Sequence, residues 1–153
     1  MNLDKKEKSL LKVLQAQGRI SNVELAEQIG ISESPCYRRV KALEEVGVIT
    51  GYGARVDRRK LGMQVTAFIL VTMDSQDDQT LQAFFDAVAT EEFIVECHAM
   101  AGAHDYLLKA VAKNMDHFSD LVMKRILKIP GVKNVESNFS LRVLKEGAPI
   151  PAE

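Results

Sequence analysis

Only the three residues GIS, positions 30–32, separate the end of one short amphipathic helix from the start of the next. With a further helix upstream, so tight a connection constrains the first third of the chain to a trihelical helix-turn-helix. The upstream helix is marked by Leu3, Leu10, Leu11 and Leu14 at helical spacing and is closed by Gly18. The second opens on SNVE: Ser21 can accept from the Glu24 amide while the Glu24 carboxylate reaches back to the Ser21 amide. Behind that cap Val23, Leu25, Ala26 and Ile29 are apolar, and Gly30 ends the helix. The third carries Ser32, Ser34 and Pro35 at its start, residue types favoured there, and is expected to run to about Val46 before the Gly47 stop.

A helix-turn-helix lays its second element across the DNA backbone and its third in the major groove. On the third helix Cys36, Val40 and Leu43 stand at i, i+4 and i+7 and should face the core. Ser34, Tyr37, Arg38 and Lys41 then point outward, with Arg39 on the flank. Arginine can pair with guanine O6 and N7, whereas lysine, serine and flanking amides mostly hold phosphates. Arg38 and Tyr37 are therefore assigned to bases, Arg39 and Lys41 to phosphates, with Ser32 and Ser34 completing the DNA-binding set. The alternative is a trihelical bundle with a solvated basic face.

Charge distribution favours the first reading. Net charge is only −1, but positions 1–62 hold twelve Lys/Arg against eight Asp/Glu (+4) and positions 63–153 hold eight against thirteen (−5). A polyanion would meet the first half and not the second. The boundary itself is a short extended linker, VITGYGARV, followed by a charged turn, DRRKLG. The expected division is a helix-turn-helix over 1–50, a linker over 51–62 and a second domain over 63–153.

In that second domain QVTAFILVTM reads as a strand, and DDQTLQAFFDAVAT as a helix with Leu81, Phe84, Phe85 and Val88 on one face. FIVECHAMA and YLLKAVA are strands joined by AGAHD. Asn114 caps a helix bearing Phe118, Leu121, Val122 and Ile126, and IPGV breaks it. A last strand should run from Val132 to about Lys145, with Val135, Ser137, Phe139, Leu141 and Val143 facing one way. Two split β-α-β units make a ferredoxin-like, four-stranded antiparallel sheet with both helices on one face, so the fold class is α+β. The other face, with strands as apolar as AFILV, needs a cover, and a second copy of the chain is the simplest.

At 153 residues and 46% hydrophobic composition the chain can bury two small cores, of about 60 and 90 residues. No stretch reaches the roughly 18 apolar residues that would cross a bilayer, and MNLDKKEK is charged where a signal peptide would be apolar, so no membrane contact and a cytoplasmic location are expected. Cys36 and Cys97 fit a reducing compartment as free thiols. A metal site built from Cys97, His98 and His104 is not expected, because Cys97 and His98 are strand neighbours on opposite faces. No phosphate loop, nucleophile elbow or zinc motif proposes catalysis or a cofactor.

The stretch RISNVELAEQIGISESPCYRRVKALEEVGVITGYGARVDRRKLG resembles the signature of the leucine-responsive/asparagine (Lrp/AsnC) regulators. AGAHDYLLKAVAKN and LKIPGVKNVESNFSLRVLK resemble the ligand-responsive domain of the same family, so the likeness covers nearly the whole chain. It implies a transcriptional regulator binding double-stranded DNA and a small amino-acid effector, as dimers assembling to tetramers or octamers. By that resemblance the effector lies near the loop from Gly102 to Asp105, which singles out Gly102, His104 and Asp105, with Ser137, Asn138 and Ser140 as weaker candidates. The chemistry suits the loop: a glycine lets amides approach a ligand carboxylate, and an aspartate can pair with its ammonium. A hairpin turn with a structural aspartate is the competing account. Two other functions remain open, an effector-independent architectural DNA protein and an amino-acid-sensing subunit that controls another protein.

Overall fold

The computed structural model describes residues 2–152, in two compact units. The first contains residues up to Arg55 together with those from Leu144 onward; the second is Val56–Val143.

In the first unit, α1 (Lys5–Ala16), α2 (Asn22–Ile29) and α3 (Glu33–Glu45) enclose a core of Leu10, Leu11, Leu25, Ala26, Ile29, Cys36 and Leu43. Two of the three begin with reciprocal caps. Asp4 accepts from the amides of Lys6 and Glu7 while Glu7 returns a carboxylate to the Asp4 amide, so α1 starts one residue after Asp4 rather than at Leu3. Ser21 and Glu24 make the cap expected from SNVE, and hydrogen bonding from Ser21 holds the Glu24 carboxyl below its ordinary pKa. Gly30 closes α2 at φ 65°, the left-handed conformation that lets the chain turn at once into α3.

Residues 144–152, expected with the second domain, instead accompany the first. The Gln15 side-chain amide both donates to the Ile150 carbonyl and accepts from its amide, at 3.0 and 2.7 Å. Arg55 donates to the Gly147 carbonyl, and Ala152 packs against the trihelical core. The last strand is correspondingly shorter than expected. It ends at Phe139 rather than near Lys145, and the Ser140 amide makes the final bond, to Thr66. The neighbouring strand begins at Val65, so nothing remains to pair with, and Gly147, Pro149 and Pro151 do not sustain a strand.

The second unit runs β1 (Val65–Met73), α4 (Asp78–Thr90), β2 (Ile94–Ala99), β3 (Tyr106–Ala112), α5 (Met115–Asp120) and β4 (Val132–Phe139). The sheet is antiparallel in the order β2-β3-β1-β4, the ferredoxin-like arrangement expected from the repeat. Ala67, Ile69, Val71 and Met73 alternate inward from β1 and Tyr106, Leu108, Ala110 and Ala112 from β3, meeting Phe84 of α4 and Phe118 of α5 in one core. The register puts Phe68, Leu70, Leu107 and Val111 on the opposite face, half-buried or exposed.

After α5 the helix widens into a π turn over Leu121–Arg125 and tightens to a 3-10 turn over Ile126–Lys128. The sequence explains why. At about 100° per residue Arg125, seven positions beyond Phe118, would fall within about 20° of it and enter the core. The wider turn retards the rotation, so Ile126 takes the buried place at 1% exposure and Arg125 swings out to Glu91, 3.0 Å from both carboxylate oxygens.

Candidate DNA interface and effector loop

The three-residue turn presents the start of α3 to solvent. Its N-cap, Ser32, makes no side-chain bond to its own helix, and Ser34, Tyr37 and Arg38 are exposed. Neither Tyr37 nor Arg38 makes a hydrogen bond or ion pair with another described residue, apart from the Tyr37 ring lying 5.9 Å below the Lys41 ammonium. These two side chains and Ser34 line a shallow cleft with Asn22 and Glu33. Sequence reasoning passed over Asn22, the first helical residue of α2, whose amide nitrogen donates to the Glu33 carbonyl at 3.0 Å and ties the two helices across the turn.

The two expected phosphate contacts are placed differently. Arg39 turns back to α1, where its guanidinium meets Asp4 at 2.5 Å and Glu7 at 3.6 Å. The Glu7 amide, and then Arg39, hold the Asp4 carboxyl below its usual range. Lys41 donates to Glu44 at 2.7 Å, which raises the pKa of the lysine and lowers that of the glutamate; Tyr52 donates to the same carboxylate. Exposed pairs of this kind are screened and easily exchanged for phosphate, so Lys41 remains available to a polyanion. Arg39, with about a third of its side chain exposed, is more firmly committed to α1.

In the second unit the connection from β2 to β3 carries Gly102, His104 and Asp105. Gly102 is exposed, and a Cβ there would meet nothing within 4 Å. His104 reaches across the end of β1: its Nδ1 lies 3.2 Å from the Thr72 hydroxyl and its Nε2 3.9 Å from Glu136 of β4. Asp105 has both carboxylate oxygens engaged. One accepts from the Met73 amide and the other from the Gln76 side chain, each at 2.7 Å. Its backbone adds two more ties, its amide to the Val71 carbonyl and its carbonyl to the Met100 amide.

The weaker candidates divide between faces. Ser137 is opposite Ile69 and so lies on the helix-covered face; Asn138 is opposite Phe68 and lies on the open one, where its amide reaches Glu136 at 3.4 Å; Ser140 is tied through its backbone to Thr66. The structure thus gathers His104, Thr72 and Glu136 at one end of the open face, while Ser137 stands on the other side. Thr72 and Glu136 were not singled out from sequence, and the alternation along each strand was the only signal for them. The same register separates Cys97, opposite Leu108, from His98, opposite Leu107. Among the described residues no cluster of three metal-ligating side chains occurs, and no helix is long and apolar enough to cross a membrane.

Comparison with known proteins agrees with both units. Residues 3–50 match a winged helix-turn-helix DNA-binding family and residues 66–150 the Lrp/AsnC ligand binding domain. The leucine-responsive regulatory protein of Rhizobium meliloti is 38% identical over 98% of this chain and 96% of its own length. The leucine-responsive regulatory protein of Escherichia coli K12 is 34% identical over 95% and 88%. Among solved structures, a transcriptional regulator of Neisseria meningitidis in complex with L-methionine superposes with a TM-score of 0.94 at 35% identity, covering 98% of this chain and 97% of that one. A feast or famine regulatory protein of M. tuberculosis complexed with L-methionine does so at 0.88 and 27%, covering 99% and 100%. With a trihelical first unit, a ferredoxin-like second unit and likeness along its whole length, the chain belongs to the Lrp/AsnC family of transcriptional regulators.

Proposed function

We propose that this regulator reads DNA through Ser32, Ser34, Tyr37 and Arg38, holds phosphates with Lys41, and answers to a small amino acid bound beside His104. The observation that carries the reading is the exposed, uncommitted Arg38 on the helix that follows a three-residue turn. Asn22 joins the set by its place in the same cleft. Arg38→Ala is expected to weaken operator binding by about 1–3 kcal/mol and to relax base preference at one position, read by fluorescence anisotropy against operator and scrambled duplexes. Unchanged affinity and preference in a folded variant would refute the assignment.

For the effector, support comes from the methionine complexes of the Neisseria and M. tuberculosis neighbours and from the glycine-bearing loop of this chain. Gly102 offers backbone amides, and His104 with Glu136 offers polar groups facing solvent, whereas Asp105 holds the loop in place. A thermal-shift screen of the twenty amino acids identifies the ligand. The effector-free architectural reading predicts no shift with any of them.

The working assembly is at least a dimer, extending to tetramers or octamers, and its setting is the cytoplasm. Phe68 is 37% exposed on the open face, beside Leu70, Leu107 and Val111, and a second copy would remove that surface from water. Light scattering at micromolar concentration is expected to give at least twice the 17.0 kDa chain mass; a monomer mass would overturn this.

A further inference from the structure

The charged turn DRRK has no part in the interface described above, yet the fold shapes it closely. Asp57 accepts from the amides of Arg59 and Lys60 through its side chain and from the Leu61 amide through its carbonyl. Gly62 and Met63 bond back to Arg59 and Arg58, and Gly62 takes φ 83°, a left-handed value that closes the turn. Arg58 spends its guanidinium on the Met63 carbonyl at 3.1 Å. Arg59 and Lys60 are exposed and make no side-chain hydrogen bond or ion pair with another described residue. Two adjacent cations are therefore held at the tip of an ordered turn with their heads in water.

What they would meet follows from charge and chain distance. Beyond Gly62 the sequence carries a net −5, so the turn is the last positive feature continuous with the +4 first half. Arg59 stands four residues from Arg55, where the chain leaves the first unit for the second, at most about 14 Å of chain. Resting on the DNA-binding reading, we infer that Arg59 and Lys60 form a second contact with duplex DNA, gripping backbone phosphates outside the segment that α3 reads. Arginine and lysine without partners suit phosphate oxygens, and neither is placed on an element that enters a groove, so the contact adds affinity without sequence preference.

The test is the salt dependence of binding. Each phosphate neutralised contributes a slope of about 0.9 to the fall of log affinity with log salt. The full-length double variant Arg59→Gln/Lys60→Gln is expected to lower that slope by about 1.8 for each chain of the assembly that engages the duplex, about 0.9 for each phosphate no longer neutralised, and to weaken operator and scrambled duplex by the same factor. Arg59→Lys, which keeps the charge, is expected to retain the wild-type slope. Arg38→Ala, measured alongside, should change the ratio of operator to scrambled affinity instead. A double variant with wild-type slope overturns the inference while leaving the DNA-binding reading intact, provided the wild type still discriminates operator from scrambled duplex. A variant that loses operator affinity at unchanged slope overturns it too, since its effect is then indirect. A wild type that is retained by no duplex overturns both.

Discussion

Asp105→Ala is expected to destabilise the second unit by about 2–4 kcal/mol, with the loss felt in folding before it is felt in ligand binding. The carboxylate bridges the end of β1 and the segment leading to α4, accepting from the Met73 amide on one oxygen and the Gln76 side chain on the other. Met73 is 7% exposed, so deleting the acceptor leaves a donor in a place water reaches poorly. That costs about 1–3 kcal/mol, and the Gln76 bond to a charged acceptor is lost besides. Asp105→Asn should fall between, because its amide oxygen keeps one of the two acceptors while its amide nitrogen confronts the other donor. Urea melts and effector titrations on the same samples decide between the two roles that the loop sequence left open. A variant of wild-type stability that fails to bind effector would make Asp105 the ammonium partner after all; loss of stability with effector affinity retained in the folded fraction makes it the staple of the loop.

Gly131→Ala is expected to cost about 3 kcal/mol and, by the usual scaling for a domain the size of the second unit, to lower its melting midpoint by roughly 12–24 °C. Gly131 sits at φ 82°, and its carbonyl accepts from the Asp74 amide at the mouth of β1. A Cβ there would stand 2.1 Å from the Thr80 methyl and 3.1 Å from the Met73 methyl. Thr80 cannot simply rotate away, because its hydroxyl and amide are both bonded to Asp77. Overpacking contributes about 1–3 kcal/mol and the left-handed backbone about 1–2. The two parts are separable: Thr80→Ser in the Gly131→Ala background removes the clashing methyl but keeps the hydroxyl, and should recover the first part only. Calorimetry of the single and double variants reads this directly, and full recovery would show that the positive φ carries no cost.

What was legible in the chain, and what was not, divides along local and non-local chemistry. The Ser21 and Glu24 cap, the Gly30 turn and the β-forming run VTAFILVTM are each written within a few residues, and local chemistry finds them. The same holds for the inward placement of Cys36 and Leu43, which sit on one helix. The ion pairs of Arg39 were not legible, because its partners, Asp4 and Glu7, lie more than thirty positions away and meet it only in the folded unit. Asp105 stands out in the sequence, but its bonds to Met73 and Gln76 reach 32 and 29 positions back along the chain, and strand order alone does not say which side chain meets which amide. The extended reading of the last strand failed for the opposite reason. Its alternation continues past Phe139, but a strand ends where its partner ends, and β1 starts too late to pair with it. The π turn is intermediate: an arginine at an inward helical position signals that something must yield, without saying what.

The central place of β1 also sets a hazard on the way to the native state. Its two neighbours, β3 and β4, both follow it in the chain, and the nearest pairing, Val71 with Tyr106, spans the whole of α4 and β2. Until that long loop closes, VTAFILVTM is a nine-residue stretch of strong β formers with no charge and no proline, the composition that aggregates. Charges stand at both ends of it, Arg58, Arg59 and Lys60 before and Asp74 after, and like-charged flanks on neighbouring nascent chains oppose their stacking. The turn whose cations would grip phosphate in the finished protein would thus first serve as a gatekeeper, keeping the strand soluble until its partners arrive.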